Sequence, residues 1–398
     1  MDPILPKAVA TAFCVLLVGL VLRRFHQPHV IAYLLAGVLI GPHGLSFLND
    51  PEAAARLGDA GVVLLLFFVG MEVSLKRLAE NWRLALIGTS LQVLVTVGLL
   101  LLLGVWLGWP TGRSVLLAFV VSLSSTAVVV SILREWGEVN SDLGNDALGV
   151  LIVQDLAIVP MLLIIGLMGE QSSHASDVVL QVVGGAAVVA LIGVIMRRGS
   201  IKLPFAARLR SDHELQVFSA FVLCFGFATL TALLHLSTAL GAFVAGIVVA
   251  SAKETEWVHE SLDALRVLLV ALFFVSVGML LDVVFLLEHW LLVAGLVVAV
   301  MLLNTAVNAG IFRALGRDWR TSLFMGSILA QVGEFSFVLA AVGLQNRLIS
   351  SFGYQISVGL IALTLLLSPG WISIFRRIAG FRRSASADPS MGSNQRSA

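Results

Sequence analysis

The chain has 398 residues, of which 59% are hydrophobic and only 12% charged, with a mean hydropathy of +1.00. Soluble domains carry about a quarter charged residues, so no aqueous fold could hide this much apolar surface and the solvent must be lipid. A net charge of +1 leaves no basis for nucleic-acid binding, and Cys14 and Cys224 lie in separate apolar stretches with no CxxC pair to suggest a disulfide or a metal site.

Thirteen stretches are apolar enough to be spanning helices. In chain order they cover 4–22, 28–47, 58–75, 83–107, 113–133, 142–168, 177–196, 213–235, 238–252, 264–286, 288–312, 321–343 and 353–375. Arg23 and Arg24 follow the first stretch rather than precede it, which is the wrong flank for a cleaved signal peptide. Of the 25 basic residues, Lys7, Arg56, Arg113 and Arg347 fall on one side of this alternation and all the others on the opposite side. Lys and Arg accumulate in cytoplasmic loops, so the N-terminus is expected outside and the C-terminus in the cytoplasm of a plasma membrane, read as a bacterial inner membrane. Residues 381–398 are rich in Ser and Gly without apolar periodicity and read as a disordered cytoplasmic tail. The basic cluster before them is expected to meet lipid headgroups.

Two pairs of segments repeat. Leu34-Leu-Ala-Gly-Val-Leu-Ile-Gly41 resembles Phe243-Val-Ala-Gly-Ile-Val-Val-Ala250, and Leu66-Phe-Phe-Val-Gly-Met71 resembles Leu272-Phe-Phe-Val-Ser-Val-Gly-Met279. Both pairs are seven stretches apart. Seven is odd, so the second copy is inverted in the membrane, a construction habit of secondary transporters. The expected organisation is one membrane domain, 1–380, with one six-helix repeat over about 1–170, a linker helix at 177–196 and a second repeat over about 210–378. The same offset sets the fifth stretch, with Ser122-Leu-Ser-Ser-Thr-Ala127, opposite the twelfth, with Ala330-Gln-Val-Gly-Glu-Phe-Ser336. Polar runs at that depth mark where two helices could break and cross, an arrangement tolerated only where it lines a cavity.

Asp155 stands near the middle of the sixth stretch. A charge at the bilayer centre costs about 2.5–3.5 kcal/mol or more, so such a residue is a functional candidate by default. A carboxyl there can hold a proton or, when ionised, serve as a hard oxygen ligand for a monovalent cation. One group that holds either but not both would exchange them by competition. Gln154 can offer its amide to the same cavity, Ser124, Ser125 and Thr126 are candidate neutral oxygen ligands, and Pro160 is expected to bend the helix and free carbonyls. Glu334, with Gln331 nearby, is the second acid at depth and is read as supporting the broken helix or relaying protons. Glu72, Asp146, Asp282 and Arg313 lie near helix ends, where snorkelling accounts for them.

Taken in order, Ile31-Ala-Tyr-Leu-Leu-Ala-Gly-Val-Leu-Ile-Gly-Pro42, Leu64-Leu-Leu-Phe-Phe-Val-Gly-Met-Glu72, Ser124-Ser-Thr-Ala127, Val153-Gln-Asp-Leu-Ala-Ile-Val-Pro160, Ala239-Leu-Gly-Ala-Phe-Val-Ala-Gly246, Leu272-Phe-Phe-Val-Ser-Val-Gly-Met279 and Gln331-Val-Gly-Glu-Phe335 resemble the monovalent cation:proton antiporter-2 family. The likeness is to the membrane domain of Kef-type potassium/proton antiporters. It implies an all-α sodium/hydrogen exchanger-like fold with discontinuous, crossing helices, a homodimer, Asp155 as the ion-binding carboxylate, and H⁺ with K⁺ or Na⁺ as the transported ions without a further cofactor. Two departures stand out. Kef-type systems continue into a nucleotide-binding regulatory domain opening on a glycine fingerprint, a segment not found here, so gating by glutathione adducts or nucleotide is not expected and a separate regulatory subunit stays open. Many relatives carry a lysine nine residues before an arginine in the eleventh helix, whereas here Arg313 is matched by Asn304. Without that fixed charge, electroneutral one-for-one exchange is expected. The competing readings are a solute symporter of the same architecture, a cation channel, and an intramembrane enzyme. The last would need facing aspartates or an HExxH motif, and the sequence has neither.

Overall fold

The computed structural model describes residues 4–24, 27, 29–48, 51–72, 82–136, 138, 141–169, 175–198, 212–234, 236–252 and 258–380. The expected tail lies outside them. Among the described residues the chain forms sixteen α-helices and no β-strand. They are α1 (Ile4–Arg23), α2 (His29–Ile40), α3 (Pro51–Glu72), α4 (Trp82–Leu107), α5 (Thr111–Ser122), α6 (Thr126–Trp136), α7 (Asp142–Met168), α8 (Ala175–Arg198), α9 (His213–Leu233), α10 (Thr238–Ala250), α11 (Val258–Leu280), α12 (Val283–Glu288), α13 (Trp290–Ala314), α14 (Trp319–Ile328), α15 (Phe335–Gln345) and α16 (Ser351–Ala379). Helix is the element that satisfies its backbone within one segment, which hydrocarbon demands.

The ends are set by local chemistry. The side chains of Ser141, Asp212, Asp318 and Ser350 accept first-turn N–H groups of α7, α9, α14 and α16, and Gly380, at φ 65°, closes α16 in a left-handed turn. Outside the membrane segments, hydrogen bonds from Thr321 and the Arg320 backbone hold the Asp318 carboxyl below its usual range. Three helices depart from the apolar-run expectation by six or seven residues at an end, among them the third, which starts at Pro51 rather than 58. The second helix stops at Ile40 rather than 47, because Pro42 disfavours helix at Gly41 and the chain turns over 41–45. The tenth starts at Val258 rather than 264, since its first turns carry polar residues that hydropathy reads as loop. It ends at Leu280, where Asp282 opens the separate helix α12 by accepting the Phe285 N–H at 3.0 Å.

Packing sorts the helices into two groups. One holds α1, α2, α3, α9, α10 and α11, and the other α4–α7 with α13–α16. In the first group backbones touch directly. A Cβ at Gly37 of α2 would collide with the Val275 carbonyl of α11, and one at Gly278 of α11 with the Leu34 carbonyl of α2. The same holds for Gly70 of α3 on Phe243 of α10, and for Gly246 of α10 on Phe67 of α3. Small residues that let backbones approach are the usual means of helix association in lipid. An apolar cavity of about 170 Å³ lies between this panel and the other group, walled by Ile31 and Leu34 of α2, Leu286 of α12, Phe337 of α15 and Leu363 of α16. Large apolar side chains such as Leu102, Val105, Phe218 and Val222 point outward, as a lipid-facing surface requires.

Filling the glycine contacts should separate the panel. Gly37→Leu or Gly246→Leu is expected to abolish monodisperse protein in detergent by size-exclusion chromatography, because overpacking against backbone has no soft neighbour to move. Gly98→Leu, at a position with nothing within 4 Å of its Cβ, should elute as wild type.

Candidate functional site

Both polar runs interrupt their helices. The fifth stretch breaks between Ser122 and Thr126, and the twelfth between Ile328 and Phe335. Each break strands backbone groups in an interior without water, and each must find a partner. The two breaks supply many of each other's. The Gly333 N–H donates to the Leu123 carbonyl at 2.7 Å, the Ser124 hydroxyl to the Leu329 carbonyl at 3.0 Å, and the Ser336 hydroxyl to the Val120 carbonyl at 2.6 Å. Asn304 of α13 spans the two C-terminal ends, its amide donating to the Val121 carbonyl at 2.9 Å and the Ala330 carbonyl at 3.1 Å. Gln331 donates to the Ser125 carbonyl at 3.4 Å, and Thr364 of α16 accepts the Val332 N–H at 3.2 Å. Gly333 is required for this contact, since its Cβ would stand 2.6 Å from the Ser124 carbonyl oxygen.

The carboxyl groups gather at the opposite, N-terminal ends. The Thr126 hydroxyl, at the first residue of α6, donates to Asp155 Oδ2 at 3.1 Å. Glu334, just before α15, is hydrogen-bonded to the Ser125 side chain and the Ala127 backbone, in the first turn of α6. Helix N-termini carry partial positive charge, so two carboxyls here and neutral donors at the C-terminal ends match the half-helix dipoles. Glu334 Oε2 and Gln331 Oε1 are buried and accept no hydrogen bond among the described residues.

Five of the residues singled out by sequence, Asp155, Thr126, Ser125, Glu334 and Gln331, therefore meet at one crossing. Asn304 sits at its far side, with Oδ1 likewise unpartnered among the described residues. Gln154 and Ser124 turn to the backbone instead. Gln154 Oε1 accepts the Ser124 N–H at 3.0 Å, and Gln154 Nε2 donates to Gln92 Oε1 at 2.7 Å. Helix α7 runs on through Pro160, which leaves the Leu156 carbonyl without the amide a helix would normally supply.

Sequence reasoning missed Gln92 of α4. Its signal was a lone amide in a long apolar helix, a type of residue that forms interhelical hydrogen bonds. Snorkelling also fails to account for Asp146. Its carboxylate is 6% exposed and forms an ion pair with Arg317 in the α13–α14 turn. The other end-of-helix residues behave as expected where described: Asp282 caps α12 with His43 3.7 Å away, and Arg313 is exposed. The Glu72 side chain lies outside the described residues.

Residues 9–377 match the family model for the sodium/hydrogen exchanger, transmembrane. The chain is 36% identical over 376 residues to the iron transporter MagA of Paramagnetospirillum magneticum, covering 94% of this chain and 86% of that protein. It is 31% identical over 357 residues to the glutathione-regulated potassium-efflux system protein KefC of Escherichia coli, covering 88% of this chain but 57% of that longer protein. In structure it is similar to the sodium proton antiporter MjNhaP1 of Methanocaldococcus jannaschii, with a TM-score of 0.70, 16% identity, and coverage of 96% of this chain and 99% of that one.

The tight contact at Gly333 yields a direct prediction. Gly333→Ala should push the two breaks apart at a cost of about 1–3 kcal/mol. A lowered unfolding midpoint in detergent, measured by fluorescence-detected chromatography after heating, is the expected outcome.

Proposed function

The chain belongs to the sodium/hydrogen exchanger transmembrane family, and from that premise we propose that it is a secondary monovalent cation:proton antiporter in which Asp155 takes up H⁺ and K⁺ or Na⁺ in turn. The observation that carries the reading is a carboxylate at membrane depth facing a hydroxyl, with unengaged oxygens at the same crossing. A buried acceptor left without a donor costs about 1–3 kcal/mol, which a bound cation offsets. Carboxylate, hydroxyl and amide oxygens are hard ligands suited to hard cations. Protonation of Asp155 removes its charge and with it the main attraction for the cation, so the two occupants compete. Thr126 holds one carboxylate oxygen and leaves the other for either occupant.

Thirteen spans, with α5–α6 and α14–α15 each counting once and the six-residue α12 not counted as a span, make up one membrane domain over 1–380. Two inverted repeats joined by α8 account for its packing. Gly37 of α2 corresponds to Gly246 of α10, and Gly70 of α3 to Gly278 of α11. The α2–α11 contact through Gly37 and Gly278 then has its counterpart in the α10–α3 contact through Gly246 and Gly70. The two helix groups would move past each other in alternating access. The basic loops support an N-terminus outside and a C-terminus in the cytoplasm of a bacterial inner membrane, and the family resemblance supports a homodimer in the lipid. With neutral Asn304 at the negative helix ends, no fixed charge opposes Asp155, and exchange is one-for-one and electroneutral.

MagA is named an iron transporter, so Fe²⁺ belongs among the cations tried. Iron sites favour imidazole or thiolate beside carboxylate, and among the described residues no group of three His, Cys, Asp or Glu comes together.

The test is a proteoliposome containing a pH-sensitive dye, to which Na⁺, K⁺, Li⁺, Rb⁺ and Fe²⁺ are added in turn. Dequenching is expected with Na⁺ or K⁺. Asp155→Asn should reduce it to background while the protein still elutes as a folded species. Exchange at the wild-type rate in Asp155→Asn would sink the proposal. A separate electrical measurement should find no transport current on solid-supported membranes, and a current reversing with voltage would remove the one-for-one stoichiometry alone.

A further inference from the structure

The interrupted fifth span leaves two adjacent backbone groups that the first break does not exchange with the second. In a continuous helix the Ser122 carbonyl would bond the Thr126 N–H, and the Ser124 N–H would bond the Val120 carbonyl. Here the Ser122 carbonyl accepts from Gln92 Nε2 at 2.9 Å, and the Ser124 N–H donates to Gln154 Oε1 at 3.0 Å. The two glutamines close the circuit, Gln154 Nε2 donating to Gln92 Oε1 at 2.7 Å. All three residues that contribute side chains or carbonyl to this ring, Gln92, Gln154 and Ser122, are at most 1% exposed. Both amides thus have their oxygen and one N–H engaged away from the carboxyl crossing.

The geometry points to Gln92 as a positioning residue for cation binding: with Gln154 it forms a two-amide clasp that fixes the Ser124-Ser125-Thr126 break against Asp155. The inference rests on the antiport reading and adds to it a residue that touches no ion. The clasp is anchored on both sides. Gln154 is the neighbour of Asp155 on α7, so the residue that holds the break also sets where the carboxyl lies relative to it. Gln92 is on α4, whose Thr89 hydroxyl also donates to the Val150 carbonyl of α7 at 3.3 Å, and whose Ala85 methyl meets Gly149 of α7 closely. Helix α4 is therefore held to α7 at the turn next to the clasp. Without Gln92, the Ser122 carbonyl and the Gln154 amide lose their partners together. The segment carrying Ser125 and Thr126 is then free to shift, and with it the hydroxyl that orients Asp155 and the group that holds Glu334.

A positioning role and a purely structural one differ in what they change. Loss of folded molecules lowers the maximal exchange rate and leaves the half-saturating cation concentration alone, whereas a displaced Thr126 raises that concentration. In the dye-loaded proteoliposome, Gln92→Met, which keeps length and removes both polar atoms, is expected to raise the half-saturating cation concentration about tenfold, the scale of a lost buried hydrogen bond. Gln92→Glu, as a protonated acid, still offers one donor and one acceptor and should restore half-saturation to near wild type. The Gln92→Met/Gln154→Met double variant should be no worse than the poorer single one, because the two act as a unit. Amide hydrogen exchange should speed up across 122–126 in Gln92→Met without a chain-wide increase. If Gln92→Met fails to fold, Gln92→Asn, one methylene too short to reach both partners, carries the same test. Unchanged half-saturation in the folded variant, or equal defects in the Glu and Met proteins, would overturn the clasp while Asp155→Asn still silences exchange. Absence of any cation-dependent signal in the wild type would instead mean that the antiport reading itself has failed.

Discussion

A backbone that leaves its helix inside hydrocarbon has no water to turn to, and that constraint shapes everything around residues 122–126 and 329–335. Many of the groups released by one interruption are taken up by the other, by Asn304, or by the glutamine pair. The two interruptions are thus a single hydrogen-bonded unit rather than two local defects. The small side chains follow from the same constraint: Ser124 and Ser336 because their hydroxyls reach carbonyls of the other interruption, and Gly333 because anything larger would drive the segments of the crossing apart. Charge then sorts itself by helix polarity. Carboxyls collect where N–H groups point, and neutral amides where carbonyls point.

Helix α7 carries two acids in contrasting situations. Asp146 and Asp155 are nine residues apart, about 14 Å along the axis. Asp146 has a guanidinium partner in Arg317, a fixed counter-charge that ties α7 to the α13–α14 turn. Asp155 has a hydroxyl partner, and among the described residues no cation lies within ion-pair reach of it. A permanently compensated acid is a structural element. An acid whose hydrogen-bond partner is a hydroxyl is the kind of group that the proposed exchange of H⁺ and a cation calls for. The difference between the two lies in their neighbours, not in the residue type.

Much of this was legible in advance. Apolar run length located most helix ends to within a few residues, because lipid imposes one length scale on all the spans, and it missed where polar first turns or a proline set the end. The interruptions were legible because Ser124-Ser-Thr126 and Gly333-Glu334 put polar groups where the bilayer tolerates them only around a cavity. Asp155 and Glu334 stood out by depth alone, and Asn304 through the family resemblance. Direction around each helix axis was not legible. Gln154 looked like a companion ligand to Asp155, yet its amide turns to Ser124 and to Gln92, 62 residues away in the chain. Asp146 looked like a surface acid because its partner, Arg317, lies far along the sequence in a turn. Depth follows from a one-dimensional count, whereas partnership depends on how helices are rotated against one another.

The glycine panel has a mechanical corollary. Where α2 meets α11 and α3 meets α10, backbone lies on backbone, and such packing has almost no compressibility to draw on. Free volume is available next door, in the apolar cavity bounded by α2, α12, α15 and α16. Hydrostatic pressure acts on voids of that kind before it acts on close-packed interiors. The protein should therefore yield along that seam, with the panel behaving as a stiff plate against which the broken-helix group is set.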